Sequence, residues 1–155
     1  MPPIIAHTPP KLMAKQWLQA YQVAPVFVAP LILLGASSNA LLAYFTETSD
    51  RVRLLYIVAA LAIASIIPYT ALYMEPGVNG AGKWKVQEVL REDGFQLKST
   101  GQGTDADTAI TEVKRWAEKV EMKTIVEKWA TTNSWRYVIT GFAMIASAIA
   151  TIICE

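Results

Sequence analysis

Three long stretches of the chain contain no charged residue and no histidine. They cover residues 24–45, 54–74 and 137–154 and are 22, 21 and 18 residues long. Because an α-helix rises about 1.5 Å per residue, each stretch can cross the roughly 30 Å hydrocarbon core of a bilayer. None of them alternates with period two, as the strands of a membrane barrel do. The pattern predicts an all-α polytopic membrane protein, a helical bundle with three transmembrane helices in a single membrane domain covering residues 1–155.

The polar connection between the second and third stretches predicts one further helix. Its first half contains Pro76, Gly77, Gly80 and Gly82, residue types that are typical of loops. Apolar or weakly polar positions then recur at helical spacing over about residues 105–130: Ala106, Ile110, Val113, Ala117, Val120 and Thr124. Two interpretations of this amphipathic helix stay open. It either packs on the membrane domain or lies in the membrane interface with Trp116 and Trp129 as anchors.

Composition agrees with a membrane protein and excludes several other classes. Hydrophobic residues make up 53% and charged residues 17% of the chain, against roughly 45–50% and 25% in soluble domains. A net charge of +1 without a basic run excludes a nucleic-acid-binding surface. The sequence has one cysteine, Cys154, and one histidine, His7. An internal disulfide and a Cys-based zinc or iron–sulfur site are therefore excluded, and we expect no metal or other cofactor.

Lysine and arginine predict which side of the membrane each loop occupies. Five basic residues near membrane ends border the long connection, namely Lys83, Lys85, Lys123, Lys128 and Arg136, whereas Arg51 and Arg53 lie in the loop between the first two stretches. Since basic residues concentrate in cytoplasmic loops, the long connection should be cytoplasmic. Residues 1–16 do not form a signal peptide, so the first span should direct insertion. We expect an integral protein of the endoplasmic reticulum or another endomembrane.

Small residues inside the first and third stretches predict close helix packing. They are Ser37 and Ser38 in the first and Ala143, Ser147 and Ala150 in the third. Asn39 differs, because a primary amide in the bilayer needs partners for two donors and an acceptor. It either joins a helix pair or faces a cavity, and both interpretations stay open.

Pro68 predicts an irregularity in the second stretch. Because proline has no N–H, the carbonyl of Ala64 loses its helical donor, and the helix should bend where Ser65 or Thr70 can offer a hydroxyl. Kinks make room for pockets, and Tyr69 adds a phenol that needs a hydrogen bond when it is buried. Tyr69 is therefore a candidate site residue, with a place in the interfacial aromatic belt as the alternative.

A third polar group lies at the entrance of the last stretch. Trp129, Asn133 and Arg136 are four and three residues apart, so a continuous helix aligns them on one face. The guanidinium of Arg136 is either a membrane anchor or a clamp for an anion.

Three sets of residues, in this order, carry a resemblance to a known family. They are Gln16, Trp17 and Tyr21 ahead of Pro25 and Pro30; Ile67, Pro68, Tyr69 and Thr70 with Met74, Pro76 and Asn79; and Trp129, Asn133, Trp135 and Arg136. With this order around its apolar spans, the chain resembles the anthrone-oxygenase-like family of small integral membrane proteins over nearly its whole length. Members of that family usually have four spanning helices, the first ahead of the Gln-Trp pair. We therefore expect either a truncated chain or a three-span form.

The resemblance implies a reaction and its partners. It implies a monooxygenase of secondary-metabolite biosynthesis that oxidises an anthrone, or a similar small aromatic polyketide, to a quinone. Molecular oxygen is the oxidant, the lipid bilayer is the setting, and neither metal nor flavin takes part. The alternative is a non-catalytic membrane scaffold or partner subunit, whose close-packing faces bind another membrane helix or a second copy of the chain.

The resemblance also implies roles for individual residues. Arg136 would stabilise a phenolate-like oxyanion, and Asn133 and Tyr69 would hydrogen-bond the carbonyl or the peroxide. Four residues would bind the substrate: Trp129, Trp17, Tyr21 and Asn79. The general base stays open between Tyr69 and Glu75, which lies at the end of the second span.

Overall fold

The fold is all-α in the computed structural model, which describes residues 8–47, 49–99 and 103–154. The longer α-helices among these residues are α1 (Pro10–Phe45), α2 (Asp50–Ala64), α3 (Gly80–Val89), α4 (Thr111–Lys119) and α5 (Met122–Cys154). A one-turn helix (Ile66–Pro68) and a π-helical segment (Tyr69–Asn79) join α2 to α3, and a 3₁₀ turn (Arg91–Asp93) follows α3. No β-strand forms within the described ranges. The predicted all-α class is confirmed.

Three helices are long and apolar enough to cross a membrane: α1, the helical run Asp50–Val89, and α5 as far as Ile153. Many of their large apolar side chains are exposed, for example Phe27, Leu34, Leu61 and Phe142. Long helices with apolar side chains on all faces are typical of membrane spans. The three predicted transmembrane helices are therefore confirmed.

The helical run from α2 to α3 is irregular near Pro68, as predicted. Helix α2 ends at Ala64, whose carbonyl lacks its usual donor because Pro68 has no N–H. The hydroxyl of Ser65 donates to the carbonyl of Ala62 at 2.6 Å. The π-helical segment that follows contains Gly77, whose backbone angles are non-helical (φ −93°, ψ −113°). Such π-helical turns are frequent at functional sites.

Two helices, α4 and the start of α5, cover the region in which the sequence predicted one. Instead of a single helix over about residues 105–130, α4 ends at Lys119 and α5 begins at Met122, and Val120 between them is extended (φ −116°, ψ 159°). The chain before α4 is not helical because its backbone pairs with Lys98. The Lys98 N–H donates to the Asp105 carbonyl at 2.9 Å, and the Asp107 N–H donates to the Lys98 carbonyl at 3.0 Å.

Helix α4 packs on α3 and α5 through its apolar face. Ala117 of α4 is fully buried with Ala81 of α3 and Ile125 of α5, and Val113 and Trp116 border the same cluster. This packing supports the interpretation of a helix docked on the rest of the fold over that of a helix lying in the membrane interface.

Contacts divide the described residues into two compact units. The first contains the described parts of Met1–Pro25 and Thr70–Asn133, and the second contains those of Val26–Tyr69 and Ser134–Glu155. Each unit has its own packed clusters. The single membrane domain over residues 1–155 stays a prediction.

The second unit packs through small residues, as the sequence predicts for the third span. Ala59 of α2 is buried with Ala143 and Ala146 of α5, and Ala150 belongs to a further cluster with Ala43, Val52 and Tyr56. A Cβ on Gly35 would lie 3.2 Å from Cδ1 of Ile63. Small residues thus allow the helix backbones to approach closely.

Asn39 lies buried in the second unit, 8% exposed. Its Nδ2 donates to the carbonyl of Gly35 in the same helix at 2.8 Å. Its Oδ1 is buried and has no hydrogen-bond partner among the described residues. The amide nitrogen of Asn39 is therefore bound within α1, to the turn that precedes it.

Candidate functional site

The carboxylate of Glu75 is the centre of a hydrogen-bond cluster in the first unit. Its Oε1 accepts from Lys83 Nζ at 2.6 Å, from the Tyr21 hydroxyl at 2.8 Å and from the Thr108 hydroxyl at 3.1 Å. Its Oε2 accepts from the Tyr21 hydroxyl at 2.9 Å and from Asn79 Nδ2 at 2.9 Å. Asn79 and Lys83 are four residues apart, about one helical turn, whereas the non-helical Gly77 lies between Glu75 and Asn79. Glu75 and its four hydrogen-bond partners are referred to below as the Glu75 cluster.

Three aromatic side chains form an aromatic wall at the Glu75 cluster: Trp17, Trp129 and Tyr21, which is also a member of the cluster. Trp17 and Tyr21, one turn apart on α1, stack with their ring centroids 5.2 Å apart and their planes at 5°. Trp129 of α5 meets Trp17 edge-on, with centroids 6.2 Å apart. The Nε1–H of Trp129 donates to Asn79 Oδ1 at 3.0 Å. The wall is therefore fixed to the cluster at two points, through Tyr21 and through Trp129.

Two glycines of α3 allow neighbouring segments to approach the helix closely. A Cβ on Gly82 would lie 2.3 Å from Cη2 of Trp17, and a Cβ on Gly80 would lie 2.7 Å from Cα of Ala109. The sequence predicted a loop at Gly80 and Gly82, and this prediction is wrong, because both lie in α3. Glycine fits these two helical positions because neighbouring groups occupy the space that a side chain would need.

Residues 107–110, which precede α4, lie against the Glu75 cluster. The Thr108 hydroxyl lies 3.1 Å from the backbone carbonyl oxygen of Glu75 as well as from its Oε1. The N–H of Ile110 donates to the carbonyl of Pro76 at 3.4 Å. Asp107 forms an ion pair with Lys114 of α4. The segment is thereby tied both to the residues around Glu75 and to the helix that follows it.

The ion pair between Lys83 and Glu75 is largely withdrawn from solvent. The Lys83 side chain has 0% exposure and that of Glu75 has 24%. A buried ion pair is stable only with good geometry and additional hydrogen bonds that offset its desolvation. Tyr21, Asn79 and Thr108 supply those hydrogen bonds to Glu75. Glu75 is the member of the pair that retains exposed surface, and it is therefore the one that a ligand can reach.

The structure brings together four of the seven predicted site residues, namely Trp17, Tyr21, Asn79 and Trp129. Asn133 belongs to the same unit, and its Oδ1 is buried without a hydrogen-bond partner among the described residues. Tyr69 and Arg136 belong to the second unit and are not part of the Glu75 cluster. The roles of all seven residues stay predictions.

Sequence reasoning named Glu75 as a possible base but missed Lys83 and Thr108. Lys83 follows Asn79 by four residues, which is helical spacing. The glycines around it obscured that spacing, because they indicated a loop. Thr108 has no comparable local signal, since 33 residues separate it from Glu75.

A cavity of about 590 Å³ lies elsewhere in the first unit. Trp84, Arg91 and Phe95 are among its lining residues, and it shares no residue with the Glu75 cluster. Within the ranges that the structure describes, no group of three His, Cys, Asp or Glu side chains is arranged to hold a metal ion. The Glu75 cluster is the candidate that combines a carboxylate, a buried lysine and aromatic side chains.

Comparison with known protein families gives a match to anthrone oxygenase over residues 17–146. The chain belongs to the anthrone oxygenase family. The resemblance inferred from the order of the motifs is confirmed, and the matched range contains the whole Glu75 cluster and the aromatic wall. No curated protein and no solved structure matches the chain. Membership in the anthrone oxygenase family gives the chain an oxygenase-like role at the level of the family.

Proposed function

We propose that this member of the anthrone oxygenase family oxidises an anthrone-like aromatic polyketide to a quinone with molecular oxygen, without metal or flavin. The observation that carries the proposal is the Glu75 carboxylate, paired with buried Lys83 and bordered by aromatic rings. An anthrone is flat and electron-rich and has an acidic CH₂ group. It therefore needs a base, a positive group to stabilise its anion and an aromatic surface to bind its rings.

The proposed reaction converts one CH₂ group and one O₂ into one C=O group and one water. A base removes a proton from the CH₂ group. The carbanion gives one electron to O₂, and the substrate radical and superoxide then combine to form a C–O bond. The peroxide takes up the proton from the base. Loss of the second proton of the former CH₂ group, with cleavage of the O–O bond, forms the carbonyl and releases water.

Glu75 is the proposed base, and Lys83 is proposed to stabilise the anion. When the carboxylate accepts the proton, its negative charge disappears and the ammonium of Lys83 keeps its positive charge. That positive charge then stabilises the substrate anion, as fixed charges in dry sites do for charge that develops during a reaction. Return of the proton to the peroxide restores the ion pair. The charge of the substrate anion is thus balanced by Lys83 throughout the reaction.

The aromatic wall is proposed to bind the flat rings of the substrate. Aromatic side chains bury large apolar areas and favour stacked or edge-on contacts with other rings. Asn79 contacts both parts of the site, since its Nδ2 binds Glu75 and its Oδ1 binds Trp129. Arg136 remains the proposed contact for an oxyanion, and Asn133 and Tyr69 remain the proposed contacts for the carbonyl or the peroxide.

Anthrone oxidation by membranes that contain Glu75→Gln tests the assignment of the base. Quinone formation in oxygenated buffer should fall by about 10²-fold or more, because removal of a general base typically has an effect of this size. Glu88→Gln is the matched control, since Glu88 pairs with Lys85 at 2.9 Å but is 51% exposed. It should retain wild-type turnover.

Two outcomes count against the proposal in different ways. Equal turnover in Glu75→Gln and Glu88→Gln would remove Glu75 from the reaction. Quinone formation by wild-type membranes that does not exceed that of membranes without the protein would contradict the oxygenase itself and favour a membrane scaffold.

A further inference from the structure

Trp17 carries a buried polar atom that has no partner among the residues the structure describes. Its indole Nε1 is buried and makes no hydrogen bond to any described residue, and Trp17 as a whole is 4% exposed. Native interiors rarely leave a buried N–H without an acceptor, because the lost hydration is not recovered. Such a donor is expected where a ligand supplies the acceptor.

Trp17 differs in this respect from the members of the Glu75 cluster and from Trp129. Each member of the Glu75 cluster makes at least one side-chain hydrogen bond. Trp129, edge-on to Trp17, donates its own indole N–H to Asn79. Of the two indole donors in the aromatic wall, that of Trp129 binds Asn79 and that of Trp17 has no acceptor among the described residues.

Two neighbours fix the orientation of the Trp17 ring. Tyr21 covers one face at 5.2 Å with nearly parallel planes. Gly82 lies close to the six-membered part of the ring, since a Cβ there would lie 2.3 Å from Cη2, 2.4 Å from Cζ2 and 2.9 Å from Cζ3. A hydrogen bond from an indole N–H lies in the plane of the ring, so the bonded oxygen must lie in this plane.

We infer that the Nε1–H of Trp17 donates to the carbonyl oxygen of a flat aromatic ketone. The identity of this ligand rests on the proposed function. Deprotonation of an anthrone moves negative charge onto its carbonyl oxygen, and the donor becomes more valuable as that charge develops. An indole N–H is too weak an acid to give up its proton. It therefore stabilises the enolate oxygen without protonating it, while Glu75 receives the proton from the CH₂ group.

Benzothienylalanine at position 17 tests the donor directly, because it keeps the bicyclic shape of tryptophan and replaces N–H with sulfur. Anthrone oxidation should show kcat lower by about 10²-fold to 10³-fold, as for removal of other oxyanion donors, with a much smaller change in KM. The same replacement of Trp135, which is 58% exposed, is the control and should leave kcat unchanged. Wild-type kcat with the replacement at position 17 would overturn the inference.

The carbonyl stretching frequency of bound anthraquinone gives a second readout that does not need turnover. A hydrogen bond lowers this frequency, so isotope-labelled quinone should absorb at lower frequency on the wild-type protein than on the protein with benzothienylalanine at position 17. Equal frequencies on the two proteins would overturn the inference even if anthrone is oxidised. Absence of wild-type turnover would count against the proposed function alone, since the frequency comparison still decides whether Trp17 donates.

Discussion

Lys83 donates to Glu75 at 2.6 Å from a side chain that has no exposed surface. Lys98 and Asp105 form an ion pair of the same length, but their side chains are 69% and 37% exposed. The two pairs have the same nitrogen–oxygen distance and differ in burial. They therefore allow the contribution of the buried pair to be measured against an internal control.

Lys83→Met should lower the free energy of unfolding by about 3 kcal/mol, because it leaves the Glu75 carboxylate in a largely buried place without its counter-charge. Lys98→Met should cost about 0–1 kcal/mol, since exposed ion pairs contribute little. Thermal unfolding in detergent measures both changes. The double variant Glu75→Gln with Lys83→Met should recover part of the loss. Equal effects of the two lysine variants would contradict the burial argument.

Asp93 should make stability depend on pH at the acidic end. Hydrogen bonds from Lys11, and then from Lys15, hold the pKa of the Asp93 carboxyl below its ordinary value of 3.8. The ion pairs, at 2.6 and 2.8 Å, join α1 to the turn after α3. Since the folded-state pKa is the lower one, this stabilisation is complete above the ordinary value and is lost as pH falls through the folded-state pKa.

Thermal midpoints of wild type and Asp93→Asn, measured from neutral pH down to about pH 3, test this expectation. The variant should be less stable than wild type at neutral pH, and the difference should shrink at acidic pH. Added salt should reduce the difference at neutral pH, because all three side chains are partly exposed. A difference that does not change with pH would show that the ion pairs do not contribute.

Arg136→Lys separates the two interpretations of Arg136. Lysine also reaches the interface from a helix end, so insertion and yield should be retained. It replaces a planar fork of five donors with a point charge, so most oxidation activity should be lost if Arg136 clamps an oxyanion. Yield and initial oxidation rate are measured together. Wild-type turnover at wild-type yield would identify Arg136 as an anchor.

Sealed microsomes treated with trypsin test the predicted orientation. The long connection should face the cytoplasm, so external trypsin should cleave after Lys98, whose side chain is exposed. Arg51, in the first turn of α2 and predicted to face the opposite side, should be cleaved only after the membrane is opened by detergent. The reverse order of cleavage would overturn the orientation inferred from the distribution of lysine and arginine.

The sequence predicts the membrane helices well because an uncharged apolar run of 18 residues or more is long enough to span a bilayer and is rare in soluble folds. It places the break of the second span correctly, since Pro68 cannot donate to Ala64. It misses α3, because glycine in a helix becomes understandable only when Trp17 and Ala109 are seen to occupy the space beside Gly82 and Gly80. The start of α4 is missed for a similar reason, since pairing with Lys98 competes with the helical pattern.

The candidate site is predictable where its residues belong to motifs and not where distant segments meet. Trp17, Tyr21, Asn79 and Trp129 were identified through the family resemblance, and they lie together. Thr108 is brought to Glu75 only by the fold, because the segment that carries it is held by contacts with Pro76 and Lys114. No local pattern encodes those contacts.

Oxidation of an anthrone under ¹⁸O₂ by membranes containing the protein tests the central claim most directly. The account predicts quinone with one ¹⁸O atom in the newly formed carbonyl, because one oxygen of O₂ is retained and the other leaves as water. The rate should exceed that of membranes without the protein, and Glu75→Gln should abolish the excess. Quinone without ¹⁸O, or formation at the same rate in membranes that lack the protein, would contradict the account.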